Sequence, residues 1–442
     1  MMSSRRYLYA FVLAAMIMLA AQQAFAISLT LAGPEPVGVP STTDLTSTLW
    51  ASLPGGELVR IATVGADAPG GGKFTEMGVP SISPESQVIF GAEVTGTDRV
   101  ARWEIFRADL TAPPSRRLVR AIERATASPG CVPNIKLDPY PIAGSNGAIA
   151  FIAPEAKGSD ALFRYTDGEL TCAVRIGDRT AAGHTLRMMY FGSATMAPTG
   201  EVAFLGRIDN GDGRDPGVDR SSRLATILAP PHGLIREVEV EGSRGPNGSR
   251  YLAGFGLPAV ASTRSGPIVA FTAINSRGSD SRGYALYVSC NGKTVERLAS
   301  GDRTSLGPVT FLSNGRPALS ASGSIAVRGA SADRRAIFSI GDRHPVVVVT
   351  PGDVTQVGSR IVTFGDPVVS ASGRIMFGII DNDDRNLLYA VKPGNVLRVS
   401  VPPVPGGELV EGLTPQIFAG TLVINESGAF AFIGGKVVKQ GR

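Results

Sequence analysis

The residues of this 442-residue chain that could do chemistry are few and scattered. Histidine occurs three times, as His184, His232 and His344. Nucleophilic catalysis needs a base of that kind beside its nucleophile, held by an orienting acid. No Gly-x-Ser-x-Gly phrase supplies such a group, and each histidine reads as a solvated loop residue. Carboxylates gather in two places, Asp209-Asn-Gly-Asp212-Gly-Arg-Asp215-Pro-Gly-Val-Asp219 and Asp381-Asn-Asp383-Asp384. Clustered carboxylates on a loop can hold Ca2+, which is the one cofactor these loops suggest. Glycine at the third and fifth positions of the first loop departs from EF-hand spacing, and a solvated turn is the competing reading. Paired acids also serve glycoside chemistry. Asp178, Asp302 and Asp353, however, each follow a glycine at recurring places, which points to side chains closing turns on backbone N–H groups. Trp50 and Trp103 read as edge packing rather than sugar-stacking platforms. No catalytic residue is assigned.

The three cysteines are Cys131, Cys172 and Cys290. No Cys-x-x-Cys spacing exists, so a cysteine zinc site is not supported. Cys131 and Cys172 are the expected disulfide pair, with Cys290 left over. That pairing requires an oxidising compartment, and the N-terminus supplies the route to one. Arg5 and Arg6 precede an apolar run, Leu8 through Leu19, and Ala24-Phe25-Ala26 is a small-x-small cleavage signal. Residues 1–26 are therefore expected to be a signal peptide, by the general or the twin-arginine route. The mature chain, with no further spanning segment, is expected in the periplasm or outside the cell. The net charge is +5 at pH 7. Its arginines are scattered among acids without a basic stripe, which argues against nucleic acid as a partner.

A recurring phrase must position whatever these residues do. It is an apolar pair, a small-residue turn, a glycine, then apolar residues ending in Phe. Seven copies end at Phe90, Phe151, Phe204, Phe271, Val327, Phe377 and Phe432, spaced 50–67 residues apart. The turn position holds Gly147, Gly200, Gly266, Gly323, Gly373 and Gly428, with Ser86 in the first copy. Each copy reads as a β-hairpin in which glycine takes positive φ. In the returning strand, large residues alternate with small ones that are still apolar, as in Ile149-Ala150-Phe151. A strand apolar on both faces belongs to a sheet covered on both sides. Further hairpins follow at Asp167-Gly168 and Asn291-Gly292, which makes four strands per unit. With 54 glycines, 31 prolines and no convincing helical periodicity after the leader, the class is all-β. The last copy lacks a fourth strand, and Leu58–Val64 offers one before any first strand. The expected fold is a seven-bladed β-propeller of four-stranded antiparallel blades, closed by an N-terminal strand that completes the last blade. An open tandem array, or a ring of six or eight blades, competes with it. The domains are then a signal peptide at 1–26, a lead-in segment at 27–54 and a single propeller at 55–442.

The phrase Asn425-x-x-Gly428-x-x-x-Phe432 resembles the tandem NxxGxxxF repeat of a family of secreted bacterial proteins, over about residues 55–435. The resemblance implies a propeller-like exported protein, and it implies no catalytic residues. Family members end in various C-terminal surface anchors, and none is read here. Ser or Ala replaces Asn in most copies, and Val327 replaces Phe. The expected function is that of a binding or scaffold module. It would be a monomer whose partner is an envelope or extracellular protein or a glycan. The alternative is a propeller-type hydrolase or lyase acting on an extracellular polymer such as a glycan. Carboxylates or histidines converging at one mouth of the channel would favour the enzyme, and an apolar mouth would favour binding. Because packing accounts for the repeated residues, function is expected where the copies differ, as in loops 206–220 and 381–386.

Overall fold

In each blade the phrase turns the chain from the innermost strand back into the second. Blade 6 shows the pattern. Val368–Val369 pairs with Ile375–Asp381, which pairs with Asn386–Val391, which pairs with Arg398–Val399, all antiparallel. The turn between the first two is closed by hydrogen bonds from Gly373 N to Ser370 O (2.9 Å) and from Ser370 N to Arg374 O (3.0 Å). Gly373 has φ 74°. In the first copy Ser86 takes the same left-handed conformation, with φ 62°, although it has a Cβ.

The computed structural model describes residues 46–52, 58–122, 126–127, 130–136, 138–156, 158–209, 222–246, 248–252, 254–277, 281–341, 344–355, 358–383, 386–391, 398–399, 416–417 and 421–436. The expected leader lies outside them, as do most of the first acidic loop and Asp384. The described strands belong to one unit spanning 45–438 and form seven antiparallel-based sheets, with no α-helix among the described residues. Blades 1 to 6 occupy residues 73–120, 126–175, 186–240, 250–299, 303–349 and 361–399. The protein is a seven-bladed β-propeller.

Blade 7 is built from both ends of the described chain. Gln416–Ile417 and Val423–Ile424 pair with Phe430–Lys436. Thr46–Ser52 then pairs with Phe430–Lys436, and Leu58–Thr63 pairs with Thr46–Ser52. The expected N-terminal strand is thus the outer edge of this blade. A second N-terminal strand, inside the stretch expected to be lead-in, separates it from the C-terminal pair. Thr46–Ser52 carries no copy of the phrase. It is held there because Trp50 stands opposite Phe432 and Leu49 opposite Ile433.

Seven apolar cores lie between adjacent blades and close the circle, the core between blades 7 and 1 included. The alternation of large and small residues has a direction. The terminal Phe faces the preceding blade: Phe204 packs against blade 2 and Phe377 against blade 5. The small neighbour faces the following blade, as Ala203 does toward blade 4 and Ala326 toward blade 6. Across the sheet the phrase residue usually meets a second large ring, as Phe151 meets Phe163 and Phe377 meets Tyr389. Where the phrase has Val327, its partner Phe338 supplies the ring.

Blade 2 carries an extra outer strand, Thr126–Ala127, parallel to Glu169–Arg175. Cys131 and Cys172 form a disulfide beside it. Cys290 is a free, partly buried thiol. Asp178, Asp302 and Asp353 close their turns in the same way. Each Oδ2 accepts from the backbone N three residues earlier, those of Arg175, Ala299 and Thr350, at 2.7 Å.

Candidate functional site

The innermost strand of a blade is a sheet edge, so one of its backbone faces has no sheet partner. In this ring those edges face the axis and are interrupted. In blade 6, Gly365-Asp366-Pro367 separates Ile361–Phe364 from Val368–Val369. Gly365 N donates across the sheet to Gly378 O at 2.9 Å. Proline just after the break has no N–H to leave unsatisfied at an edge. The same step recurs as Val79-Pro80, Tyr140-Pro141, Leu257-Pro258 and Arg316-Pro317.

Together the inner strands enclose an axial channel of about 490 Å³, lined by residues from all seven blades. Its wall is largely apolar, with Ile82, Ile142, Met196, Val260 and Val368 among the lining residues. Two of the residues preceding the repeated proline are charged, Arg316 and Asp366. Asp366 Oδ1 is 3.1 Å from Arg328 Nε. Arg316 reaches past its own blade. Its Nε donates to Pro258 O (3.1 Å) in blade 4. Its Nη2 donates to Gly192 O (3.2 Å), Ser193 O (3.2 Å) and Ala194 O (2.8 Å) in blade 3. These carbonyls lie in the breaks of the inner strands, just before Thr195–Met196 and Ala259–Thr263, outside the residues paired in the sheets. Burial pushes the guanidinium pKa down to about 10, so it is cationic at neutral pH. Tyr140, 41% exposed, lays its ring over Gly192, where a Cβ would come within 3.6 Å of it.

The histidines lie away from this channel. His232 and His344 are exposed in loops. His184 is not a solvated loop residue as expected. It is partly buried, with Nδ1 2.8 Å from Glu237 Oε1 and Nε2 3.2 Å from Arg223 Nη2. Thr180 Oγ1 donates to the same Glu237 oxygen at 2.5 Å. The hydroxyl therefore sits on the acid and not on the imidazole, and no nucleophile is presented to the base. The described acids of the two loops serve local structure. Asp209 is buried and accepts from Thr185 N (3.0 Å) and Arg187 Nη2 (3.2 Å). Asp381 accepts from Asp383 N (3.0 Å). Among the described residues, no group of three or more His, Cys, Asp or Glu is placed to hold a metal ion. Trp50 packs into the core between blades 6 and 7.

A channel was expected, but the residues that line it, Arg316 among them, escaped the reading of the sequence. A signal was present. The residue before the repeated proline is apolar or aromatic in three copies and charged only in blades 5 and 6.

No family model and no curated protein matches the chain. Solved structures with a similar fold include the β-propeller domain of the Trilobed protease from Pyrococcus furiosus. It is 13% identical over 74% of this chain and 85% of that one, with a TM-score of 0.42. A polysaccharide lyase of family PL25, an ulvan lyase, is 11% identical over 76% and 86%, with a TM-score of 0.36. The Aleuria aurantia lectin is 9% identical over 77% and 99%, with a TM-score of 0.31. These are distant likenesses, and no residue role is carried over from them.

Proposed function

We propose that the chain is an exported binding module that takes its ligand in the axial channel. The observation that carries this reading is the channel itself: about 490 Å³, walled mainly by apolar side chains and holding one cationic group. That is the size and make-up of a small-ligand site, with few polar groups to set orientation. Export is supported by the leader-like N-terminus, the resemblance to secreted NxxGxxxF-repeat proteins, and a disulfide that needs an oxidising compartment. No helix among the described residues is long and apolar enough to cross a membrane. Cleavage of a glycan would need an acid and a second carboxylate facing one bond. Of the carboxylates lining the channel, Asp366 is engaged by Arg328 and Glu426 is exposed at a turn.

The test is to narrow the channel without disturbing the ring. Val368 lines it and is partly buried. Small molecules retained by the purified chain would be identified by mass spectrometry for the wild type and for Val368→Trp, with circular dichroism verifying the fold. The wild type is expected to retain a compound that the variant loses. Identical retention by both would sink the channel as the site.

A further inference from the structure

Arg316 is more than a clip between blades. Its Nε and Nη2 are consumed by four backbone carbonyls, but Nη1 has no hydrogen-bond acceptor among the described residues. No described carboxylate pairs with it either, since Asp366 is matched by Arg328. Backbone carbonyls satisfy donors but do not cancel charge, so the guanidinium stands beside apolar wall without an ion-pair partner of its own. A cation drawn out of water in this way gains most from an anion that completes its hydrogen bonds. The remaining nitrogen offers two N–H groups, enough for one carboxylate. A phosphate or sulfate ester would leave most of its oxygens against hydrocarbon.

Resting on the channel as the ligand site, we propose that the ligand is a small amphipathic carboxylate. Its carboxylate accepts from Arg316 Nη1, and its apolar body lies within the ring of Ile82, Ile142, Val260 and Val368, which line the channel from blades 1, 2, 4 and 6. Tyr140, whose ring covers Gly192 next to the Arg316 carbonyl cluster, forms part of the lip.

The probes are decanoate, decan-1-ol and decyltrimethylammonium, which share a chain and differ in head group. Each is titrated calorimetrically into the full chain. Decanoate is expected to bind about tenfold or more tighter than decanol, as a charge-assisted hydrogen bond implies, and the ammonium compound most weakly. Arg316→Gln should remove the preference for decanoate while decanol binding persists. Val368→Trp should abolish binding of both. Should Arg316→Gln fail to fold, the comparison of head groups on the wild type decides alone. Decanoate binding no tighter than decanol, or a preference that survives Arg316→Gln, overturns the carboxylate assignment and leaves the channel reading standing. Absence of binding by all three probes, or binding indifferent to Val368→Trp, overturns both.

Discussion

Asp138 pays for its position between blades 1 and 2. Its carboxyl fills the hollow left by Gly78 and Gly91, where a Cβ on either glycine would overlap it. Burial pushes its pKa from 3.8 up to about 6, although hydrogen bonds from Tyr140 N and Val79 N pull the other way. The folded state therefore holds this proton more tightly than the unfolded chain does. The contribution of Asp138 to stability is greatest below the unfolded value near 3.8 and is lost as pH rises through about 6. Asp138→Asn keeps an acceptor and removes the charge. It should raise the melting temperature at pH 7.5 and leave it nearly unchanged at pH 4. Scanning calorimetry at the two pH values would show this, and an equal gain at both would contradict it. Residue roles confined to one turn were legible in the sequence. The Gly-Asp aspartates needed only backbone three residues away, and the Ser86 position needed only its place in the phrase. Asp138 and Arg316 were not legible in that way, because their partners belong to other blades.

At the scale of single elements, the returning strand was readable because burial on both faces is written in its composition. The direction in which Phe and Ala point was not, since it depends on which neighbour each face meets. Nor was the break in the inner strand, although the repeated proline marks it. The disulfide pins the start of blade 2 to its outer strand across a separation of 41 residues. Loops of that size are stabilised by about 4 kcal/mol when cross-linked. Replacing Cys131 and Cys172 together with Ala should cost about that much in urea unfolding. Reductant should then destabilise the wild type and leave the double variant unchanged. A variant as stable as the oxidised protein would show that the bond contributes nothing.

Over the whole molecule, ring closure rests on one side chain more than its counterparts suggest. Asn425 Oδ1 accepts from Ala429 N (2.9 Å) inside its own turn, as Ser320 Oγ does from Ser324 N (3.2 Å) in blade 5. Its Nδ2 goes further, donating to Ser83 O (3.0 Å) and lying 3.2 Å from Ser86 Oγ in blade 1. A serine has no second arm of that kind, so the asparagine of the phrase is retained where the last blade meets the first. Asn425→Ser should keep the turn and lose the link, lowering stability by about 2 kcal/mol. Gly428→Ala, which strains the same turn but leaves the link, is the comparison. Chemical denaturation of both would separate the two effects, and an unchanged midpoint for Asn425→Ser would remove the link from the account of closure. Seven blades and their closure were legible because the copies could be counted and the incomplete ends matched. The strand at Thr46–Ser52 was missed because it has no phrase of its own.

That shared last blade also sets an order of events. Thr46 pairs with Lys436, so the earliest described residue to be made finds its partner only when nearly all the chain exists. Such a contact is among the most expensive in loop entropy and forms late. Until then blade 7 presents an open edge at Phe430–Lys436, and Thr46–Ser52 remains a detached strand able to pair with it. At high protein concentration, the strand of a second copy can reach that edge first. Refolding at high concentration should therefore give interlocked dimers by exchange of this strand.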